Sequence, residues 1–340
     1  VYVPCCLKHY SADLSGAAIL NSMPMGFYQP AQLVIDARNH GVEVRQADIN
    51  YSQWDHLLEE KVGKYFALRL GFRQIKGIRE EDVRLLVSAR GSGYESIHAL
   101  RDAGVSQATL EQLADADAFR SLGFDRRQAL WEISSLHDRP VALFAGQPSA
   151  SVSEPQIHLP FMTTSEHVVH DYATTALSLK AHPVSFVREK LKLLHIRSSA
   201  ELRDVKDGMP VKVAGLVLVR QRPGTAGGVC FITLEDETGF SNLVVFQNLF
   251  ETYRKEILGA RLLMVEGKLQ REGEVIHVIV RRCFDLTKLL KGLTAVEKEE
   301  QPVLTLSRAD EGAPFPAENK RSQVRTTSHE EVFPKARNFK

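Results

Sequence analysis

The chain has 340 residues, 44% hydrophobic and 25% charged, long enough for two or three compact units each with its own core. Its 43 lysines and arginines nearly cancel its 42 aspartates and glutamates, so no global positive field draws it to a polyanion, and any nucleic-acid binding must rest on local patches. The four cysteines, Cys5, Cys6, Cys230 and Cys283, lack C-x-x-C spacing, which makes free thiols in a reducing cytoplasm the expectation, and no apolar run approaches the roughly 20 residues that cross a bilayer.

The chain opens at Val1 inside a helical pattern and reads as a fragment of a longer protein. Residues 13–21 are small and apolar and predict a helix; Pro30 opens an amphipathic run over 31–40 that Gly41 ends. GVEVRQADIN then gives a short strand, with 66–70 as its partner. From Ile75 the pattern changes to short helices joined by glycine-bearing turns. IKGIREEDVRLLVSAR is one helix-hairpin-helix candidate, with Lys76 and Gly77 at its turn and a helix from about Glu80. LADADAFRSLGFDRRQALWEI is a second, with its turn at 119–123 and a helix over 126–133. Such turns leave backbone N–H groups at a helix N-terminus, where orphan donors and the dipole favour a phosphate. Arg79, Arg120, Arg126 and Arg127 would add charge-assisted contacts, with Gly123 allowing close approach; the alternative is a helical pair that merely packs.

Residues 139–165 have linker composition, with Pro140, Pro148, Pro155 and Pro160. A short helical module follows over 166–194, interrupted at His182-Pro183, and Ser198 to Glu201 has the spacing of a capping box. Residues 211–219, 229–234, 242–246, 261–269 and 275–280 are rich in β-branched and apolar residues. They are bounded by Pro223-Gly224, Thr238-Gly239 and Glu272-Gly273, with a helix over 251–258 between the third and fourth. Three strands, a helix and two strands spell a five-stranded Greek-key OB-fold barrel, the kind whose strand faces and loops hold oligonucleotides. After Leu290 the periodicity is lost, and 291–340 read as an extended or disordered tail.

In the barrel, Arg220 and Arg222 precede the glycine-rich 223–228 loop. Phe231 and Phe246 offer stacking surfaces, and Lys268, Arg271, Arg281 and Arg282 are placed to track phosphates, although strand alternation turns about half of such aromatics to the core. Asp115-Ala-Asp117 sits in a helical context and Glu235-Asp236-Glu237 ends a strand at a hairpin, so neither is a metal-binding carboxylate pair. His167 and His170 lack further zinc ligands. No catalytic residue and no metal site are expected within this chain.

Collinear segments over nearly the whole chain, among them NSMPMGFYQPAQLVIDARNHGVEV, ALRLGFRQIKGIREED, ADAFRSLGFDRRQALW, HVVHDYATTALSLKAHP and AGLVLVRQRPGTAGGVCFITLEDETG, resemble the C-terminal part of the error-prone, DnaE-type DNA polymerases of bacterial family C. PMGFYQPAQLV and LVRQRPGTAGG point to the error-prone rather than the replicative branch. The resemblance implies a multidomain α+β chain: the distal fingers (1–68), a tandem helix-hairpin-helix region (69–138), a linker and short helical module (139–204), an OB-fold domain (205–288) and a tail (289–340). It further implies DNA-directed DNA synthesis across damaged template, with catalytic aspartates and Mg2+ in a palm upstream of this chain and with Y-family-like and RecA-like accessory proteins as partners. PVALF at 140–144 stands where replicative relatives carry a sliding-clamp peptide. It lacks the leading Gln and reads as an apolar linker anchor. The competing reading, from another class, is a non-catalytic scaffold that docks accessory proteins; arginines clustered on one barrel face would favour DNA, and an exposed apolar patch there would favour the scaffold.

Overall fold

The computed structural model describes residues 8–24, 29–136, 159–273, 275–291, 293 and 337–339. The predicted linker, apart from 159–165, and most of the predicted tail lie outside these residues, as does the PVALF stretch. The chain divides into two compact units, Val1–His182 and Pro183–Lys340.

The first unit begins with α1 (Ala12–Asn21) and α2 (Pro30–Asn39), the latter opened by Pro30 at its first position and by a capping box between Gln29 and Gln32. They pack on a three-stranded sheet in which β3 (Tyr65–Arg69) lies between β1 (Val44–Arg45), parallel to it, and β2 (Leu57–Val62), antiparallel to it. Strand β2 was not legible in the sequence: LLEEKV places three charged residues in a row between Leu58 and Val62 without alternation, and it is half-buried only over its first three residues. A helical layer follows: α3 (Glu80–Ala89), α4 (Ile97–Asp102), α5 (Gln107–Asp115), α6 (Arg126–Ser135) and α7 (Thr164–Thr175). The core shared by α3 to α6 includes Phe72, Leu86, Leu100, Leu113, Phe119 and Ile133. Helix α7 carries a capping box between Thr163 and Glu166 that was not foreseen.

The second unit opens with α8 (Arg188–Leu193). The predicted capping box forms, Ser198 N donating to Glu201 Oε2 at 2.6 Å and Glu201 N to Ser198 Oγ at 3.4 Å, but it leads only a 3-10 turn over Glu201–Asp204. The barrel is built from β4 (Pro210–Gln221), β5 (Cys230–Asp236), β6 (Gly239–Val245), β7 (Leu262–Glu272) and β8 (Val275–Asp285). The order β5-β6-β8-β7-β4 closes through a β4–β5 pairing, and within this ring only β6 and β8 run parallel. This is the closed OB-fold barrel that the sequence predicts, preceded in the chain by a helix-hairpin-helix region.

The single helix expected over 251–258 is two short ones, α9 (Gln247–Thr252) and α10 (Arg254–Gly259), separated at Tyr253, whose backbone leaves the helical region. The barrel interior alternates as its strands require, with Val211, Val213, Ile232, Leu234, Leu243, Val245, Val278 and Val280 pointing inward. Cys230 and Cys283 are buried free thiols in this core, both pushed above the ordinary thiol range by burial, Cys283 to about 12. A last helix, α11 (Thr287–Lys291), follows β8, and residues 337–339 of the predicted tail form β9 (Arg337–Phe339), parallel to Val219–Gln221 at the end of β4.

Candidate nucleic-acid interface

Among the described residues the basic side chains of the hairpin region are mostly committed within the fold. Lys76 donates from Nζ to Ala173 O at 2.8 Å and Tyr172 O at 3.3 Å, capping the end of α7. Arg126, 1% exposed, donates from Nε to Asp115 O and pairs through Nη2 with Asp171, both at 2.7 Å. Arg127 holds Pro160 O and Glu166, each at 3.0 Å, and Arg120 pairs with the buried Asp117 at 2.9 Å. Arg79 pairs with Asp82. The sequence placed these side chains on a phosphate path; Arg126 is instead buried, Lys76 and Arg127 are held by partners over 30 residues away in the chain, and Arg79 and Arg120 stay exposed, each paired with a carboxylate three residues away.

The helix termini behave similarly. Gly77 and Gly123 both take the left-handed conformation expected of a hairpin turn. However, α3 carries Glu80, Glu81 and Asp82 in its first turn, and the N-terminus of α6 is capped by Asp125 accepting from Gln128 N at 2.8 Å, so carboxylates already occupy the positive ends of both dipoles. A hairpin turn that the sequence reading passed over joins α4 to α5. There Gly104 has φ +90°, Ser106 caps α5, and the first turn of α5 has no acidic residue. Its signal was Ala103-Gly104-Val105-Ser106, a glycine stop followed at once by a capping serine.

The barrel residues divide differently. Arg220, 6% exposed, reaches inward and donates to the carbonyls of Ile257 and Ala260, the latter at 2.6 Å, closing the C-terminal end of α10. This corrects its placement on the DNA face, because a buried guanidinium already bonded to two carbonyls is not presented to a ligand. Arg222 is half-exposed, stacks on Phe250 with its guanidinium carbon 4.6 Å from the ring centroid, and donates to Gly228 O at 3.3 Å, so it braces the loop between β4 and β5. The Arg271 guanidinium is gathered by the carbonyls of Leu202, Arg203 and Val205.

What remains forms a face. Phe231, Val244, Ile279 and Lys268 lie side by side across β5, β6, β8 and β7, and Thr233, Asn242, His277 and Gln270 form the next row; all eight are exposed or half-exposed. Phe240 and Val275 extend the face one step further along their strands. Phe231 is 38% and Phe240 48% exposed, and Phe246 stands exposed at the end of β6. Phe240 was missed because the third strand was started at Asn242, which left this ring in a turn; alternation counted back from the buried Leu243 and Ser241 would have turned it outward. A cavity of about 210 Å³ lies beside this face, lined in part by Arg203, Phe240, Asn242 and Val275. Exposed rings with a lysine that makes no ion pair among the described residues are the components of a single-strand binding platform, and β5 and β6 are the second and third barrel strands, whose face holds oligonucleotides in OB-folds.

Residues 211–286 match the model of an OB-fold nucleic acid binding domain, and residues 41–129 match a helix-hairpin-helix motif. The whole chain aligns at 43% identity with error-prone DNA polymerase 1 of Rhizobium meliloti, covering 34% of that protein. The chain is a relative of the error-prone DNA polymerases. Error-prone DNA polymerases of Sinorhizobium medicae and Ruegeria pomeroyi align at 48% and 47% identity over 85% and 86% of the chain, which covers 28% and 26% of those proteins. It thus spans about a third or less of the length of these polymerases. Among the described residues no group of three or more His, Cys, Asp or Glu side chains is arranged to hold a metal ion. His167 is instead in contact with Arg126, whose Nη1 lies 3.2 Å from its Nδ1. No helix of the described residues is long and apolar enough to cross a membrane.

Proposed function

We propose that this chain is the template-handling part of an error-prone DNA-directed DNA polymerase that acts in damage-induced translesion synthesis and DNA repair in the cytoplasm. The barrel holds single-stranded template and the hairpin region lies along duplex backbone. Nucleotidyl transfer belongs to palm carboxylates and their Mg2+ upstream of this chain, and Y-family-like and RecA-like proteins are its accessory partners. The observation that carries the proposal is the barrel face on which Phe231, Phe240 and Lys268 are exposed together, stacking groups beside a cation. The exposed and half-exposed apolar side chains of this face, Phe231, Phe240, Val244, Val275 and Ile279, would also suit the scaffold reading; Lys268 within the same rows, beside rings able to stack, favours DNA.

The test is fluorescence anisotropy of a labelled single-stranded oligonucleotide titrated with the chain. Phe231→Ala, Phe240→Ala is expected to weaken binding by about tenfold per ring, since base stacking contributes roughly 1–3 kcal/mol per base. Unchanged affinity in a folded double variant would refute the template-handling reading.

A further inference from the structure

The outer surface of the barrel carries a second feature where β8, β7 and β4 meet the segment before the 3-10 turn. Along β8, Val278 and Val280 face the core and Cys283 does so again, so two residues stand between successive inward positions at this point. The ladder shows why: Val280 pairs with Gly267 but Arg282 pairs with Glu266, a bulge that leaves Arg281 as the extra residue. Gly267 is required opposite the bulge, because a Cβ there would lie 2.3 Å from Ile279 O. The outcome is two consecutive arginines, Arg281 and Arg282, both exposed on the outside of a strand where alternation would have sent one of them inward.

Across the ladder, Lys212 of β4 lies beside Glu266, and Arg197 is fixed next to it by a hydrogen bond from its backbone N to Lys212 O at 2.9 Å. With His195 these residues line a cavity of about 560 Å³. Four permanent cations face one carboxylate, in a chain whose formal net charge is only +1. Glu266 is held by Lys212 at 2.9 Å and lies 4.0 Å from Arg282, whereas Arg197 and Arg281 make no ion pair among the described residues. Among the described residues no Phe, Tyr or Trp lines the groove and His195 is its one ring, so it offers mainly charge.

We infer that this groove is a phosphodiester site, holding the sugar-phosphate backbone of the same strand whose bases stack on Phe231 and Phe240. The inference rests on the template-handling reading and extends it. Glu266 is two residues from Lys268 along β7, about 7 Å at strand spacing, so the groove continues directly from the stacking rows. Guanidinium groups match phosphate oxygens in charge and fork geometry, and contacts of this kind add affinity and salt dependence without sequence preference.

The test uses the full chain and fluorescein-labelled oligothymidylate at 50 to 200 mM salt. Arg197→Gln, Arg281→Gln removes two exposed charges that make no ion pair among the described residues, and an unchanged thermal melt verifies that the fold is kept. Loss of two phosphate contacts reduces the slope of log affinity against log salt by about 1.4, so the drop in affinity between 50 and 200 mM becomes about sevenfold smaller than in the parent. Glu266→Gln, which removes the one carboxylate, is expected to strengthen binding at 50 mM. Phe231→Ala, Phe240→Ala should instead weaken binding by one factor at every salt concentration. A parental slope in the folded arginine variant would overturn the groove and leave the stacking platform standing. Absence of binding by the parent chain at 50 mM would overturn both.

Discussion

Glu235 lies near the end of β5, 5% exposed, with Oε1 lacking a hydrogen-bond partner among the described residues. Burial, with a smaller contribution from the neighbouring Asp236 charge, raises its pKa from the ordinary 4.5 to about 7. Below pH 4.5 it is protonated in both the folded and unfolded chain. Between 4.5 and about 7 the unfolded chain releases this proton while the folded barrel keeps it, so stability falls as pH rises; above about 7 the penalty is complete and constant. At about 1.4 kcal/mol per pH unit, the full penalty is about 3 kcal/mol. Glu235→Gln is isosteric and does not titrate. The stability of the variant minus that of the parent should therefore rise by about 3 kcal/mol between pH 4.5 and pH 8, whatever constant offset the amide introduces. Both tryptophans, Trp54 and Trp131, lie in the first unit, so in urea titrations the far-UV circular dichroism transition that tryptophan fluorescence does not share reports the barrel. A difference that stays flat across this pH range would refute the reasoning.

The first unit should respond to pH in the opposite sense. His56, buried and accepting from Gly71 N at 3.0 Å, has its pKa lowered to about 4 by burial and then by Arg73, so between about 6.5 and 4 stability falls as pH falls; tryptophan-detected unfolding of the parent and of His56→Gln should diverge there by up to about 3 kcal/mol. Arg126→Met leaves Asp171 short of its buried partner and should destabilise the same unit by about 3 kcal/mol, measured by the same fluorescence titration. Arg220→Ala orphans the carbonyls of Ile257 and Ala260 and should cost about 2 kcal/mol of barrel stability by circular dichroism, while oligonucleotide affinity of the folded protein stays unchanged.

The barrel was readable because each of its strands is signalled twice, by alternation and by a glycine-bearing turn, and both signals are local. Which arginines face solvent was not readable. Arg220 finds its carbonyls 37 and 40 residues away and Arg126 its carboxylate 45 residues away, and nothing in the flanking sequence distinguishes these arginines from Arg281, which has no such partner among the described residues. Phe240 failed for a smaller reason, a strand start misplaced by three residues. The hairpin region shows a third limit: Gly77 and Gly123 were identified correctly as turns, but the acidic first turn of α3 and the aspartate cap of α6, both visible in the sequence, were not weighed against the phosphate that the turns suggested.

The bulge opposite Gly267 also bears on how this barrel tolerates changes of length. A strand that is one residue longer than its partner holds a spare position. Deleting Arg281 would let β8 pair with β7 without interruption, Val280 and Cys283 passing to alternate inward sites. The deletion that looks most violent on paper is therefore one that the ladder can absorb, and an insertion at the same place has no such slack to use. Losing that position would also remove one positive charge from the outer surface of the barrel.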